Sequence, residues 1–477
     1  MKARHYSLSV LFIVSMILVL VVPTVLAGNG SSDIKALYKR DKVMAQEQAL
    51  IGFGPRVAGG SAEKSAADYI AAQMESYGLD VQIQEFGILY FEELSSPVLE
   101  QVSPIPTTYV EGTNFATMSY SGAGNVTADI QAVDLLMPPT GGSTSGCETA
   151  DFAGFVSGNI ALMQRGTCTF GAKAANARAA GAAGAIIFNE GNVVPGDDRI
   201  GLLFGTLGAP VGPIPVVGTT FALGEGLYNQ LSSGPVQVHL AVDAISEERT
   251  SQDVIGTLVG TKPDQGIVYI GGHYDSVSAG VGANDDASGV AAMLEAARVL
   301  SDKGHRTKAT LKFIAFGSEE TGLDGSYNYV DANFDEVSTK GIGMVNLDMI
   351  AVGDILQIGN IDYGLPGTGG NQIKDYAQQK ATAMGITWEP FAAGENSDHT
   401  YFEQVGVPAV FLTQNPDPYY HTAQDALDKI QPATLEANGE LATATMYDWA
   451  KNPALRAKKA ARLEKVNVYH DKVHAKK

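Results

Sequence analysis

Two apolar runs, residues 267–270 (IVYI) and 311–316 (LKFIAF), read as buried parallel strands because they do not alternate with polar residues. Between them Val290, Met293, Leu294, Ala297 and Leu300 recur at i, i+3, i+4 and i+7 spacing, which predicts a helix with one apolar face. Each run ends in residues for which a strand has no structural need. His273 and Asp275 follow the first, Glu319 and Glu320 the second, and Asp285 and Asp286 open the predicted helix. In an open α/β sheet, ligands bind beyond the carboxyl ends of the strands. This one stretch therefore brings a His and several carboxylates to a single edge.

The same texture flanks it on both sides. Residues 31–77 are helical in pattern, with Ala66, Tyr69, Ile70, Met74 and Tyr77 on one face and a break at Gly59-Gly60. Gly78 and Asp80 end the helix, and 81–86 alternates as a strand. Beyond Gln252 come a strand over 342–347 ending at Asp348, a helix over 374–384 and a strand over 407–412. Tyr419, Tyr420, His421 and Thr422 then fall in a turn set up by Pro416 and Pro418, and Pro432 starts a closing helix. Between 97 and 244 the pattern loosens into Gly, Pro, Ala, Val and Thr with short strands at 160–164 and 185–189 around an Ala-rich helix over 170–180. The expectation is an α/β protein with a mixed, mainly parallel sheet flanked by helices. Its catalytic domain comprises residues 28–96 and 245–450, and 97–244 is a β-rich insert.

Length agrees, since 477 residues exceed one comfortable core. Residues 1–27 read as a signal peptide: Lys2 and Arg4 precede an apolar run over 10–22, and Val25, Leu26 and Ala27 suit cleavage. No other apolar run approaches spanning length, so no stable membrane insertion is expected once that segment is removed. The formal net charge is −20, and nine of the 32 Lys and Arg lie in 451–477 beside only Glu464 and Asp471. The remaining surface is acidic enough to repel nucleic acid. The basic tail contains His470 and His474, but it lacks an apolar face to hold a metal site, so it is read as dispensable for chemistry. Cys147 and Cys168 suit one disulfide in an oxidising compartment, the alternative being two buried thiols.

Zinc takes imidazole nitrogen and carboxylate oxygen, and catalytic sites keep one position open. His273, Asp285, Glu320, Asp348 and His421 each stand at the carboxyl end of a predicted strand or in the loop leaving it. Five donors are too many for one catalytic zinc and suit two, with Asp285 the central choice for a shared carboxylate. Charge supports that count: two Zn2+ ions balance three carboxylates and a hydroxide. Asp275 is placed to accept the other N–H of His273 and fix its tautomer. Glu319, beside ligand Glu320, is the natural general base for a metal-held water. Ser397, Asp398 and His399 stand in a row but cannot form a serine triad, because adjacent residues do not make that relay and no Gly-x-Ser-x-Gly turn occurs. They are expected in a substrate-side loop, or as plain loop caps.

The runs His273-Tyr274-Asp275, Asn284-Asp285-Asp286, Ser318-Glu319-Glu320, Leu347-Asp348-Met349 and Tyr420-His421-Thr422 together resemble the co-catalytic dizinc aminopeptidases. That family includes secreted bacterial leucyl-type enzymes and the vacuolar aminopeptidase Y. The likeness extends from Gly54-Pro55-Arg56 to about Trp449, and residues 156–191 resemble the protease-associated (PA) domain inserted in several peptidases and receptors. The resemblance implies a zinc exopeptidase fold with His273 and Asp348 on one zinc, Glu320 and His421 on the other, and Asp285 bridging. It further implies that Tyr420 steadies the tetrahedral intermediate, that Cys147 and Cys168 tie the long entry loop of the insert, and that a secreted monomer acts on peptide or protein N-termini with large apolar first residues. A carboxypeptidase of the same clan would need a cationic clamp, and no Arg stands near the motifs. A non-catalytic, receptor-like homologue would lack ligands, and a glutaminyl cyclase would use one zinc without the insert.

Overall fold

The computed structural model describes residues 30–361, 363 and 372–455. The expected signal peptide and residues 456–477 of the basic tail lie outside the described residues. The chain begins with α1 (Gly30–Leu37), α2 (Arg40–Ile51), α3 (Ser61–Ser76) and the 24-residue β1 (Asp80–Ser103). Then come β2 (Thr107–Thr108), β3 (Phe115–Thr117), β4 (Gly124–Ala132), β5 (Ile160–Gln164), α4 (Phe170–Ala179), β6 (Gly184–Phe188), β7 (Val216–Thr219), α5 (Phe221–Leu231) and the 22-residue β8 (Gln237–Leu258). The second half is β9 (Ile267–His273), α6 (Ser288–Leu300), β10 (Thr310–Phe316), α7 (Asp324–Ala332), α8 (Phe334–Lys340), β11 (Gly341–Leu347), β12 (Ile355–Asn360), α9 (Gln372–Met384), β13 (Trp388–Ala392), α10 (His399–Gln404), β14 (Ala409–Asn415) and α11 (Pro432–Lys451).

β10, β9, β11 and β14 lie side by side and parallel, with β12 and β13 completing one edge and β8 antiparallel beyond β10. Both faces of the parallel strands are covered, which explains their unbroken apolar sequences. Val268 and Ile270 pack on the side of α2, α3, α6 and α11, whereas Ile267 and Tyr269 pack on the side of α7, α8 and α10. In the insert, β4, β5, β6 and β7 run on as a second, mainly parallel group, with β3 antiparallel at its edge.

The two lobes are joined by strands rather than by linkers. β1 and β8 pair antiparallel from Asp80↔Thr257 to Ser103↔Gln237. β8 gives its last residues to β10 and its first residues to β4. The expected boundaries at 96/97 and 244/245 therefore fall inside continuous strands. Between the lobes neither face of the ribbon is fully covered, and Leu94, Ser95 and Ser96 are exposed. Without a buried face the apolar alternation fades, so the sequence there reads as loop. Pro97, which has no N–H to donate, sits where the register shifts between Ser95 and Val98.

Cys147 and Cys168 form a disulfide that closes a 21-residue separation in the insert. In the chain-entropy model such a bridge stabilises its domain by about 3 kcal/mol. Cys147→Ser should lower the unfolding temperature of the insert while leaving zinc content unchanged. Two free thiols by mass spectrometry of the native protein would refute the bridge.

Candidate metal centre

The parallel strands deliver the site. His273 is the last residue of β9, Asp348 follows β11, Glu319 and Glu320 follow β10, and His421 lies in the turn after β14. The chain turns sharply at these exits. Ser318 (φ 59°), Met349 (φ 60°) and His421 (φ 56°) all adopt the left-handed region that residues with a side chain seldom enter. Asp285 and Asp286 precede α6 in non-helical backbone, so the helix starts at Ser288 rather than at the two acids.

Four of the five expected donors, His273, Asp285, Glu320 and Asp348, line one cavity, and His421 reaches Asp285 and Glu320 from its turn. Asp285 divides its oxygens between the two imidazoles: Oδ1 stands 3.1 Å from His273 Nε2 and Oδ2 3.2 Å from His421 Nε2. Asp348 Oδ1 is 3.8 Å from His273 Nε2, and Glu320 Oε2 is 2.9 Å from His421 Nε2. Donors sharing a tetrahedral ion with bonds of about 2.0–2.2 Å stand roughly 3.3–3.6 Å apart, and these separations fall within about 0.4 Å of that range on either side. Glu320 Oε1 is buried without a hydrogen-bond donor, as an atom reserved for a cation would be. Asp286 also lies within 4.8 Å of the His273 and Asp348 donor atoms. Its Oδ1, however, accepts the amides of Gly289 (2.9 Å) and Met349 (3.1 Å), which ties the start of α6 to the exit of β11.

Electrostatics favour positive charge here. Burial disfavours a charged His273, but Glu319, Asp275, Asp285 and Asp348 outweigh it and raise its pKa well above the ordinary value. Hydrogen bonds to Asp285 and Glu320 raise His421 to about 10. Burial would push Asp285 up, yet the two imidazoles bring it down to about 2. Burial raises Glu320 to about 7 and Glu319 well above the carboxylate range.

The supporting groups are more numerous than the motifs suggest. Asp275, buried, lies 3.4 Å from His273 Nδ1, and its two oxygens accept the amides of Glu319 (3.0 Å) and Glu320 (3.2 Å). One carboxylate thus orients an imidazole and the backbone of both glutamates. Asp425, which carries no motif signal, accepts the amides of Asn284 (2.7 Å) and Asp285 (3.1 Å). Arg56 lies fully buried beside the β9 exit and donates to three backbone carbonyls there. The expectation that no Arg stands near the motifs is thereby corrected: the fold brings Arg56 across 220 residues of sequence. The resemblance begins at Gly54-Pro55-Arg56, but that run does not signal a place beside the β9 exit.

Ser397, Asp398 and His399 are not on the substrate side. All three are fully buried, because α10 begins beneath the strand ends. Ser397 Oγ donates to Asp348 Oδ2 (2.6 Å) and accepts from Asn346 (2.7 Å), which steadies that carboxylate. Burial raises Asp398 to about 7 and lowers His399 to about 3, whose ring stacks on Phe411 at 4.7 Å. Asn396, one residue earlier, is the member of this run that lines the cavity.

The cavity measures about 360 Å³. Met349, Phe391 and Phe411 line it together with the carboxylates. Phe391 and Phe411 both lie opposite Gly359 in the β13–β12–β14 ladder, with ring centroids 5.5 Å apart. A Cβ at Gly359 would come within 2.5 Å of the Phe391 ring, so glycine makes room for the aromatic pair. Tyr420 lines the mouth and stacks on His421 at 3.8 Å. Among the described residues, no Lys or Arg lines the cavity.

Imidazoles and carboxylates thus converge at the carboxyl edge of a mainly parallel sheet, with a further glutamate alongside, as a metal centre requires. The chain belongs to peptidase family M28, whose model matches residues 253–446, and a PA domain matches residues 126–227. It is 32% identical over 418 residues to aminopeptidase YwaD of Bacillus subtilis, covering 84% of this chain and 82% of that protein. An aminopeptidase of Pseudomonas aeruginosa is 37% identical over 348 residues, 72% of this chain, and the match spans 62% of that relative's length. Among solved structures, an aminopeptidase from Aneurinibacillus sp. strain AM-1 is similar at 32% identity and a TM-score of 0.64, with 91% of this chain and 99% of that one covered. BSAP, a zinc aminopeptidase from Bacillus subtilis, gives 29% identity and a TM-score of 0.57, with 87% and 96% covered.

Proposed function

We propose that the protein is a zinc aminopeptidase that removes large apolar residues from the N-termini of peptides. The observation that carries this reading is the lining of the cavity: carboxylates together with Met349, Phe391 and Phe411, and no Lys or Arg among the described residues. With the zinc ions balancing their ligands, Glu319 and Asp417 remain as lining acids, which draw a free ammonium and repel a free carboxylate. The aromatic wall matches an apolar side chain. A carboxypeptidase would need a cationic clamp, and the guanidinium of Arg56 is directed into backbone carbonyls instead.

His273 and Asp348 are assigned to one Zn2+, Glu320 and His421 to a second, and Asp285 to both. When bound, the ions polarise the scissile carbonyl and acidify water. Glu319 belongs to neither donor group; its Oε2 lies 4.0 Å from His273 Nε2. It accepts the proton of the attacking water and delivers it to the leaving amine. Tyr420 lines the cavity and is assigned to steadying the developing oxyanion. The disulfide supports a working place in an oxidising compartment outside the cytosol. Among the described residues, no helix is long and apolar enough to cross a membrane.

A leucyl dipeptide assayed with a free and with a blocked N-terminus tests the reading. Only the free form should be cleaved, and equal turnover of the blocked form would sink it. Glu319→Gln should keep zinc and KM but lose turnover by at least ~10²-fold, the lower range for a positioned general base. A Gln variant with full zinc and near-normal kcat would exclude this base. Loss of both zinc and activity would mean that Glu319 and Glu320 exchange roles. His421→Ala should retain more zinc than Asp285→Ala, since only Asp285 serves both positions; equal zinc content in the two would count against bridging.

A further inference from the structure

We propose that Arg56 is a positioning residue for the metal centre, fixing through three backbone carbonyls the distance between the segment that carries His273 and the segment that carries Asp285. Its effect on turnover rests on the aminopeptidase reading above; its effect on metal retention does not.

The contacts define the role. Arg56 Nε donates to Tyr274 O (2.6 Å), Nη1 to Val281 O (2.5 Å) and Nη2 to Gly282 O (3.0 Å). Tyr274 adjoins His273, and Gly282 lies three residues before Asp285. Gly282 has φ 55°, and a Cβ there would come within 2.2 Å of Asp285 O, so its backbone packs directly on that of the bridging acid. A shift of Gly282 therefore moves Asp285. Only a planar guanidinium offers donors in these separate directions from one rigid group; an ammonium is a single point.

Arg56 is itself held to the scaffold. Its amide donates to Ser276 Oγ (2.9 Å), and its carbonyl accepts from the Ser276 amide (3.2 Å). Two residues on, Ala58 O accepts from Arg249 of β8 (3.1 Å), and the Gly59 amide donates to Glu63 of α3 (2.7 Å). The opposite side of the Asp285 segment is gripped by Asp425 through the amides of Asn284 and Asp285. Arg56 takes the carbonyls and Asp425 the amides, which leaves the segment little freedom. The guanidinium bonds to neutral partners only, while its charge faces Glu47, Asp275, Asp286 and Asp425. A residue needed for charge alone would meet one of these acids directly.

Arg56→Lys and Arg56→Met in the full chain test the idea. The measurements are zinc loss into excess chelator, hydrogen exchange of the Ser276, Asn284 and Asp285 amides in the metal-free protein, and kcat with KM. Groups that orient metal ligands typically change affinity or activity ~10–100-fold when mutated. Both variants should lose zinc at least ~10-fold faster, exchange faster at those amides while the β9 and β11 amides stay protected, and lose kcat with KM nearly constant. Lys173→Met is the control: it removes another buried cation, in the insert, and should lower thermal stability without changing zinc loss. Wild-type zinc loss and exchange in Arg56→Lys would overturn the proposal, as would full rescue by Lys of what Met abolishes, because charge rather than the fork would then be responsible. If neither Arg56 variant folds, Ser276→Ala carries the test, since it loosens the seat of Arg56 but keeps the guanidinium: faster zinc loss supports the role and an unchanged rate overturns it. Should wild-type protein cleave no peptide at all, the zinc and exchange readouts still decide.

Discussion

Carboxylates held close together out of water repel one another strongly, since the interaction grows as the dielectric falls. This molecule buries Asp275, Asp285, Asp286 and Asp348 at a single sheet edge, with Glu319 and Glu320 mostly buried beside them. Much of the surrounding structure exists to make that tolerable. Backbone amides answer Asp275, Asp286 and Asp425. Imidazoles answer Asp285 and Glu320, and a serine hydroxyl answers Asp348. Asp286 Oδ2 and Glu320 Oε1 are left without donors. An architecture with its strand ends on one side suits this purpose, because several chain exits can contribute one group each without crossing.

How far the sequence disclosed this depends on the kind of signal each residue carries. Strands buried on both faces leave unbroken apolar runs, so β9, β10 and β11 were legible, and so were the polar residues that end them. The five donors stood out because a His or an acid after an apolar run has no packing reason to be there. Asp425 and Arg56 had no such contrast: each lies in a polar or irregular segment, and only the folded chain brings it to the site. Ser397, Asp398 and His399 were visible as a polar cluster, but their direction was not. Sequence shows that polar groups gather; it does not show whether they face the cavity or support its floor.

The ribbon between the lobes was missed for the opposite reason. Strand recognition depends on a buried face, and the middle of β1 has too little of one. Its first residues were recognised as a strand over 81–86, and the rest, with the exposed bridge, was read as a boundary and loop. The chain is organised less as a domain with a detachable insert than as two cores built on one shared pair of strands.

That sharing has a consequence for the order in which the molecule assembles. The ladder pairs Ser103 with Gln237 at one end and Asp80 with Thr257 at the other. Closing so long an intervening loop from an unfolded chain is entropically costly, and contacts of high sequence separation form slowly. A folded insert removes that cost by bringing residues 103 and 237 together before the ladder begins. The ribbon would then zip toward Asp80 and present Val254 to Leu258 of β8 for pairing with β10. An insert that folds first would thus nucleate the sheet that carries the metal centre.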